Sequence, residues 1–250
     1  MGYAGLQGKS ALVTGASKGI GRAVALEFAK AGTNVMINYI GEDSDALAVK
    51  KEAESYGVKA EIFHADVSDS AQVRDMFTAF DRLFGRLDIL VNNAGIAQAV
   101  TVRDMTDEQW DRMIKVHLYG TFYNAREAAR RMWENQAGKI INISSDLASL
   151  GCEEFTHYSA AKGGISSFTK ALARELAPHI NVNSVAPGGT FTDILADFGE
   201  GYEEEEAAKY PLKRLAQPEE IAKSVLFLAS DDANFYTGQI LGPNGGSVMN

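Results

Sequence analysis

The sequence predicts an α/β fold: a doubly wound, mainly parallel β-sheet flanked by helices on both faces. Three observations support this prediction. Short apolar segments alternate with longer amphipathic segments, a glycine-rich loop joins the first pair, and polar or glycine residues follow several of the apolar segments. Strands that alternate with helices pair in parallel, because each helix returns the chain to the same end of the sheet.

The elements can be assigned in order from the start of the chain. A short apolar strand is predicted at Ser10–Val13, then a glycine loop at residues 14–21 and a helix that continues to Ala31. Since no internal repeat or low-complexity linker interrupts the pattern, we expect one domain. Further strands are predicted at residues 34–39, 59–64, 89–92, 139–144, 181–186 and 239–242, and further helices at residues 44–56, 70–84, 106–135, 155–176 and 218–229.

The glycine loop carries the first functional signal. The first strand is followed by Gly15, Gly19 and Gly21 in the spacing G-x-x-x-G-x-G. Gly15 permits a sharp turn, Gly19 lets the backbone approach a pyrophosphate, and Gly21 allows close helix packing. The N-terminus of the next helix supplies amide donors and a partial positive charge. The loop predicts a dinucleotide phosphate site, although glycines in a strand-to-helix turn also occur without a ligand.

A tyrosine and a lysine carry the second signal. Tyr158 and Lys162 are four residues apart in an Ala- and Ser-rich helical segment, so a phenol and an ammonium share one helical face. A free tyrosine has a pKa near ~10, and a nearby cation lowers that pKa toward a range useful for acid/base chemistry. The spacing alone is weak evidence, because any helix produces such pairs by chance.

Composition and charge exclude several classes of function. The chain has 250 residues, 46% hydrophobic and 23% charged, enough to bury one substantial core. A net charge of −9 without clustered Lys and Arg argues against nucleic-acid binding. The apolar runs are too short to span a membrane, so we expect a soluble cytoplasmic protein. One cysteine, Cys152, cannot form an internal disulfide, and the four histidines lack metal-ligand spacing, so we expect no metal.

Ordered motifs continue along the rest of the chain. They comprise residues 14–21, Asp66 and Val67, residues 92–95, Ser145, Tyr158, Lys162, Pro187 and Gly188, Thr192, residues 211–214 and residues 218–222. Together these positions resemble the short-chain dehydrogenase/reductase family in its compact form, and they are similar to its 3-oxoacyl-acyl-carrier-protein reductase-like members. The resemblance implies a Rossmann-type fold, one dinucleotide-binding domain over residues 1–250 and a substrate lid at about residues 192–211.

The resemblance also implies a reaction and a catalytic set. Family members interconvert a ketone or aldehyde and the corresponding alcohol by hydride transfer to or from a nicotinamide. Tyr158 would be the general acid/base, Lys162 would hold the nicotinamide ribose and depress the Tyr158 pKa, and Ser145 would bind the substrate oxygen. A serine at a strand end is also a common turn former, and only its spacing to Tyr158 favours Ser145 over Ser144.

His117 departs from the family's catalytic pattern. Most members carry asparagine in an N-x-x-G context of the long fourth helix, where it kinks the helix and anchors water in a proton relay. This chain instead has His117, three residues before Gly120. Because imidazole can donate, accept and titrate near neutrality, His117 could take part in such a relay. The alternative is a buried histidine hydrogen-bonded for structure.

The expected cofactor is NADP(H), with NAD(H) as the alternative. An NAD-specific site carries an acidic residue after the second strand, where this chain has Asn38 and Tyr39. Lys18 lies where family members often hold a 2′-phosphate, and a solvated loop lysine is its alternative. The cofactor-binding set implied by the resemblance is Gly15, Ser17, Lys18, Gly19, Ile20, Gly21, Asn38, Tyr39, Asp66, Val67, Asn93, Ala94, Gly95, Tyr158, Lys162, Pro187, Gly188, Thr190 and Thr192.

The resemblance places the substrate around the loops after Gly95 and Ser145. The lid segment carries an acidic run at residues 200–206, which is either a solvated helix face or a surface that disfavours anionic substrates. Cys152 has no base spaced to activate it, so we expect a pocket residue rather than a nucleophile. The implied substrate-binding residues are Ser145, Leu147, Cys152, Phe155, Gln98 and Tyr158.

Several readings remain open on partners and function. Family members that use an acidic carrier protein hold it with arginines, but this chain has Gln136 and His179 at those two positions, with Arg130 and Arg131 nearby. A 3-oxoacyl-thioester reductase and a sugar or polyol dehydrogenase are therefore alternatives to a reductase of small carbonyl substrates. A dinucleotide-binding sensor is the non-enzyme alternative, and the intact Ser145, Tyr158 and Lys162 argue against it.

The resemblance further implies a homotetramer that pairs through the fourth and fifth helices and through the last strand and helix. Two apolar stripes suit such pairing, and core packing would explain them equally well. The stripes consist of Ala125, Ala128, Ala129 and Trp133 on one helix and Phe168, Ala171, Leu172 and Leu176 on the other.

Overall fold

The computed structural model describes residues 3–192 and 201–249. Within these ranges seven strands form one sheet in which every pairing is parallel, in the order β3-β2-β1-β4-β5-β6-β7. This confirms the predicted α/β fold of the Rossmann type. The strands are β1 (Ser10–Val13), β2 (Asn34–Tyr39), β3 (Ala60–His64), β4 (Ile89–Asn92), β5 (Gly138–Ile143), β6 (Ile180–Val185) and β7 (Ile240–Leu241).

Helices cover both faces of the sheet. One face packs against the helices at residues 19–30, 43–54 and 218–229, and the other face packs against the helices at residues 70–84, 120–134 and 156–176. The helices are α1 (Gly19–Lys30), α2 (Asp43–Glu54), α3 (Ser70–Phe84), α4 (Asp107–Ile114), α5 (Gly120–Glu134), α6 (Leu147–Leu150), α7 (Thr156–Leu176), α8 (Tyr202–Lys209) and α9 (Pro218–Ala229).

Strand β1 shows why its sequence is apolar at successive positions. Ala11 and Val13 face the core layer formed with α1, α2 and α9, whereas Leu12 faces the layer formed with α3, α5 and α7. All three side chains are fully buried. Adjacent strand residues point to opposite faces, so a strand covered on both sides must be apolar throughout.

The long helix predicted at residues 106–135 is interrupted. Helix α4 begins with a capping box, in which Thr106 and Gln109 each bond the other's backbone, and it is followed by one π-helical turn at Lys115–Tyr119 before α5 begins. A π turn accommodates one extra residue, which rotates the side chains that follow it. In this turn the ring of His117 reaches the backbone of Ile96.

The strand order reverses between β1 and β4, and the loops that follow these strands diverge there. In parallel sheets the crevice at such a switch point, outside the carboxyl ends of the strands, is the usual place for a ligand. The loops after β1, β4, β5 and β6 contribute Gly15, Asn93, Ser145 and Pro187 to this edge. In the part of the chain that the structure describes, no helix is long and apolar enough to cross a bilayer.

Candidate active site

A cavity of about 450 Å³ occupies the crevice at the switch point. Most of the residues predicted from the sequence line it, whereas Gly21, Tyr39 and Gln98 do not. The predicted residues that line the cavity are Gly15, Ser17, Lys18, Gly19, Ile20, Asn38, Asp66, Val67, Asn93, Ala94, Gly95, His117, Ser145, Leu147, Cys152, Phe155, Tyr158, Lys162, Pro187, Gly188, Thr190 and Thr192.

The glycine loop forms one wall of the cavity. Gly15 and Gly19 have positive φ angles of 61° and 53°, a conformation that favours glycine. A Cβ at Gly15 would lie 2.8 Å from the Cα of Ala94, and a Cβ at Gly21 would overlap the carbonyl oxygen of Gly15. Gly21 therefore packs helix α1 against the loop, as predicted, without lining the cavity.

Polar side chains hold the loop in place. The Thr14 hydroxyl accepts hydrogen bonds from the backbone N–H groups of Asn93 and Ala94, both at 3.0 Å. The Asn93 Nδ2 donates to the carbonyl oxygens of Thr14 and Gly15 at 2.9 and 3.0 Å. The Asn93 amide therefore fixes the turn between β1 and α1, and this side chain acts on the loop rather than on a ligand.

Asn38 and Tyr39 differ from the prediction. The Asn38 Nδ2 donates to the carbonyl oxygens of Phe63 and Ala65, and its Oδ1 accepts from the Gly15 N–H, so the amide has no donor left for a ribose phosphate. The Tyr39 ring is 4% exposed in the core, and its hydroxyl donates to Asp43. Tyr39, which the resemblance placed in the cofactor-binding set, therefore does not reach the cavity, because the last residue of β2 faces α1 and α2.

The part of the cavity around Lys18, Asp66 and Arg112 is polar. Lys18 forms an ion pair with Asp45 at 3.0 Å, and both side chains are substantially exposed. Asp66 Oδ1 accepts hydrogen bonds from Ser68, and its Oδ2 accepts one from Arg112 at 3.2 Å. Burial raises the pKa of Asp66, but the bonds from Ser68 and Arg112 outweigh it and leave the pKa below its ordinary value. Arg112 was not among the predicted site residues, although it lines the cavity.

Ser145 and its neighbour Ser144 have different roles. The Ser145 hydroxyl donates to Asp146 Oδ1 at 3.2 Å, accepts from the Leu147 N–H at 3.1 Å and lowers the pKa of the nearby Tyr158 phenol. The Ser144 hydroxyl instead contacts the Lys162 carbonyl oxygen at 2.9 Å. Of the two serines, Ser145 is thus the one that acts on the phenol.

Burial dominates the ionisation of Tyr158 and Lys162. Burial and the negative charge of Asp146 raise the pKa of Tyr158 to about 12, against a lowering from the Ser145 hydrogen bond. Burial lowers the pKa of Lys162 to about 7. The Lys162 Nζ donates to the Ile143 carbonyl oxygen at 2.8 Å and lies 5.5 Å from the centre of the Tyr158 ring. The pKa of Tyr158 is therefore raised and not lowered as expected, because burial is the largest influence on it.

His117 is a neutral, buried imidazole. Its Nε2 lies 2.8 Å from the carbonyl oxygen and 3.1 Å from the amide nitrogen of Ile96, and its ring meets the Tyr158 ring edge-on at 5.3 Å. Burial and the charge of Lys162 lower its pKa to about 3. The expectation that His117 titrates near neutrality is therefore wrong. Its Nδ1 is buried and has no hydrogen-bond partner among the described residues.

The part of the cavity around Ser145 combines apolar and acidic side chains. Leu147, Cys152 and Phe155 line it as predicted, together with the unpredicted Asp146 and Glu206, and Tyr210 packs against the loop at Gly188 and Gly189. Burial raises the pKa of the Cys152 thiol, which agrees with a pocket residue rather than a nucleophile. Asp146 directly follows Ser145, and that adjacency was the one sequence signal that could have identified it.

The predicted lid is described only in part. Residues 193–200 lie outside the described residues, and the rest of the segment includes α8. Glu203, Glu204 and Glu205 are exposed, whereas Glu206 lines the cavity and accepts a hydrogen bond from the Tyr210 hydroxyl at 3.1 Å. One carboxylate of the acidic run therefore faces the cavity.

The residues present fit a nicotinamide dinucleotide. The glycine loop leaves the space that a Cβ would fill, and α1 begins at Gly19 with its N-terminal amides directed at the cavity. The half-buried Tyr158 and the buried Lys162 and Ser145 line the same cavity as Lys18. In the described part of the chain no group of His, Cys, Asp or Glu side chains is arranged to hold a metal ion.

Comparisons with known proteins agree with this geometry. A family profile described as enoyl-(acyl carrier protein) reductase matches residues 15–247. The chain belongs to the short-chain dehydrogenase/reductase family, as its sequence motifs predicted. It is accordingly an NAD(P)-dependent oxidoreductase that acts on CH–OH or keto groups, and the predicted preference for NADP(H) is confirmed.

Curated relatives are similar over nearly their whole length. The chain is 41% identical over 242 residues to the 3-oxoacyl-(acyl-carrier-protein) reductase FabG of Staphylococcus aureus, covering 96% of this chain and 98% of the relative. It is 38% identical over 246 residues to the protein of the same name from Thermotoga maritima, covering 98% and 99%. The relative of that name from Aquifex aeolicus is 39% identical over 242 residues, covering 96% and 98%.

Proposed function

We propose that this protein is an NADP(H)-dependent carbonyl reductase that interconverts a ketone or aldehyde and the corresponding alcohol, with Tyr158 as the general acid/base. The observation that supports this most strongly is the meeting of Ser145, Tyr158 and Lys162 in one cavity with the glycine loop. The sensor alternative explains the glycine loop but gives no reason for a phenol, a serine and a lysine that line the same cavity.

The proposed mechanism assigns each residue one task. A nicotinamide held in the cavity would supply the hydride in the reducing direction. Tyr158, whose pKa of about 12 keeps its phenol protonated, gives its proton to the carbonyl oxygen as the C–O double bond becomes a C–O single bond. Ser145 hydrogen-bonds the same oxygen and stabilises the charge that develops on it. Lys162 holds the ribose hydroxyls beside the phenol, and the reverse reaction returns the proton to Tyr158.

A 3-oxoacyl thioester is the second candidate substrate. It is favoured by the name that the relatives from Staphylococcus aureus, Thermotoga maritima and Aquifex aeolicus share. Recognition of an acidic carrier protein is less well supported, because Gln136 and His179 occupy the positions where carrier-using family members have arginines. Arg131 is held by Asp81 and by Glu127, while the more exposed Arg130 is paired with Glu127 at 3.0 Å.

The decisive experiment tests the purified protein in both directions. Small ketones and a 3-oxoacyl thioester are mixed with NADPH, and glucose is mixed with NADP. The concentration of the reduced cofactor is followed in each case. We expect turnover of at least one carbonyl substrate and a loss of about 100-fold or more in Tyr158→Phe. Tyr56→Phe, which changes an exposed tyrosine outside the cavity, is the matched control. Full activity in Tyr158→Phe would rule out the assigned acid/base.

We further propose a cytoplasmic homotetramer with one domain and a closing lid. The predicted stripes give this limited support, because Ala125, Ala128, Leu172 and Leu176 belong to the core. Trp133 of the predicted stripe is exposed, and so are Tyr119 and Phe122, which were not part of it. Such a row of exposed aromatic side chains suits a contact with a second copy of the chain.

A further inference from the structure

Asp146 is a buried carboxylate on the wall of the cavity, directly after the proposed catalytic serine. Only 4% of the residue is exposed. Its Oδ1 lies 3.2 Å from the Ser145 hydroxyl oxygen, and its Oδ2 accepts the hydroxyl proton of Ser247 at 2.7 Å. Its backbone N–H donates to the Pro187 carbonyl oxygen at 3.0 Å. The carboxylate is thus held between the loop after β5 and the C-terminal segment, beside the proposed place of reduction.

No cation compensates the charge of this carboxylate. Glu206, the other carboxylate in this part of the cavity, is paired with Lys209 at 2.6 Å. Burial lowers the pKa of Lys162 to about 7, and its Nζ donates to the Ile143 carbonyl oxygen. Among the residues that the structure describes, no lysine or arginine forms an ion pair with Asp146. Asp146 is therefore the uncompensated acidic group beside the proposed catalytic residues.

Apolar side chains strengthen the effect of that charge. Leu147, Cys152 and Phe155 line the same part of the cavity, and the Phe155 ring meets the Tyr158 ring edge-on at 6.2 Å. Charges interact more strongly beside apolar walls than in water. Burial is the largest cause of the raised pKa of Tyr158, and the negative charge of Asp146 adds to it. The carboxylate is accordingly close enough to act on a molecule held at Tyr158.

A carbonyl substrate would leave one acceptor of Asp146 unfilled. A serine hydroxyl has a single proton, and in the proposed mechanism Ser145 gives that proton to the substrate oxygen. The proton then no longer points at Asp146, so Oδ1 has an acceptor position open beside the reacting carbon. Because an ionised carboxylate only accepts hydrogen bonds, the group that fills this position must be a donor. An ammonium or hydroxyl group on the neighbouring carbon of the substrate is such a donor.

We propose that Asp146 is a specificity-determining residue that selects carbonyl substrates with a hydrogen-bond donor, above all an ammonium group, on the carbon next to the carbonyl, and rejects substrates with an anionic group there. This inference rests on the proposed function and deepens it by naming a substrate class. The donor completes the hydrogen bonds of the carboxylate, and an ammonium also offsets its buried charge. An anion at the same place would be repelled.

The first test uses four ketones that differ only in one substituent of propanone: aminoacetone, hydroxyacetone, butanone and acetoacetate. Their kcat/KM values are measured with NADPH. The four ketones differ in intrinsic reactivity, so the quantity compared between variants is the kcat/KM of aminoacetone divided by that of acetoacetate. We expect this ratio to fall by about tenfold or more in Asp146→Asn, because asparagine is neutral.

Glu153→Gln is the matched control. Glu153 is an exposed carboxylate that does not line the cavity, although its charge reaches Cys152. The ratio should change by less than about twofold in this variant, since water and salt screen an exposed charge. Asparagine has the shape of aspartate and can keep the contact with Ser247. A merely structural Asp146 would therefore affect all four ketones alike, and an unchanged ratio in Asp146→Asn would overturn the proposal.

A second test needs no turnover. Cys152 is the single cysteine of the chain and lines the cavity, so its alkylation by iodoacetamide reports whether the cavity is occupied. The protein is loaded with oxidised NADP, which has no hydride to give to a ketone. We expect aminoacetone to protect Cys152 at a concentration about tenfold or more below that of acetoacetate in the wild type, and we expect this difference to disappear in Asp146→Asn.

The protection experiment separates the two proposals. A wild type that shows the expected protection but reduces none of the four ketones would contradict the proposed function alone. Equal protection by aminoacetone and acetoacetate would contradict the role of Asp146, whatever the turnover. Because this comparison is made within the wild type, it decides the matter even if Asp146→Asn does not fold.

Discussion

Burial has the largest influence on the pKa values of the side chains proposed for catalysis. Burial raises the pKa of Tyr158 to about 12 and lowers that of Lys162 to about 7 and that of His117 to about 3. All three shifts favour the uncharged form, as desolvation requires. At neutral pH the phenol and the imidazole are therefore neutral, and the lysine is close to its midpoint.

The pKa of His117 predicts an effect on stability. Its unfolded pKa of 6.5 exceeds its folded pKa of about 3, so the unfolded chain binds a proton that the folded chain excludes. The favourable contribution is fully present above pH 6.5 and is lost as pH falls toward 3. When the pH falls from about 7.5 to 5.5, we expect the unfolding free energy of the wild type to decrease by about 1–2 kcal/mol more than that of His117→Asn. Urea unfolding at the two pH values measures this difference.

The matched control for this measurement is His64→Asn, which replaces an exposed histidine. This variant should keep the wild-type dependence on pH, since the change lies at the surface and leaves the buried His117 in place. Equal pH dependence in His117→Asn and the wild type would show that His117 is charged, or solvated, in the folded protein.

Spacing in the sequence identified residues but not their ionisation. Tyr158, Lys162 and Ser145 could be found because short motifs preserve their order and separation. The sign of the Tyr158 shift could not, because it depends on burial and on Asp146, which are properties of the folded cavity. Tyr39 was misplaced for a related reason, since sequence position alone does not say which face the last residue of a strand presents.

At the scale of elements, the junction between β1 and α1 depends on glycine contacts. A Cβ at Gly21 would overlap the Gly15 carbonyl oxygen and the Asn93 Nδ2, so Gly21→Ala must push the loop away from the helix. We expect a loss of about 1–3 kcal/mol in unfolding free energy and weaker NADPH binding. Urea unfolding and a fluorescence titration with NADPH measure the two effects.

Gly163→Ala is the control for Gly21→Ala, because it makes the same substitution at a helical position where the new Cβ has free space. The nearest atom to its new Cβ would be the Ala148 carbonyl oxygen at 3.8 Å, an ordinary contact. Alanine favours the helix, so a gain of up to about 1 kcal/mol is expected. A similar loss in both variants would mean that helix conformation, and not the contact with the loop, explains the effect at Gly21.

The sequence predicted most of the helices and strands. Helices at Ser70–Phe84 and Pro218–Ala229 and the strand at Ile89–Asn92 have the bounds that the apolar pattern predicts. The π turn at Lys115–Tyr119 was not predicted, because the apolar period changes little over five residues. Its position is set by the long-range contact of His117 with Ile96, which no local pattern records.

At the scale of the whole molecule, the exposed aromatic side chains around α5 predict assembly. Phe122 is 41% exposed and Trp133 is 46% exposed. If this surface contacts a second copy, Phe122→Glu would place a charge in an apolar contact and should reduce the homotetramer to smaller species. Sedimentation velocity measures the change, with Tyr56→Glu as a control at an exposed aromatic residue elsewhere. Four-copy assemblies in Phe122→Glu would argue against this surface.

The hydrogen bond from Ser247 to Asp146 has a practical consequence for anyone producing the protein. An affinity tag joined directly after residue 250 would follow Ser247 closely in the chain and would strain the segment that contacts the carboxylate. Kinetic constants measured on such material would describe a perturbed enzyme. A cleavable tag on the amino end avoids this artefact.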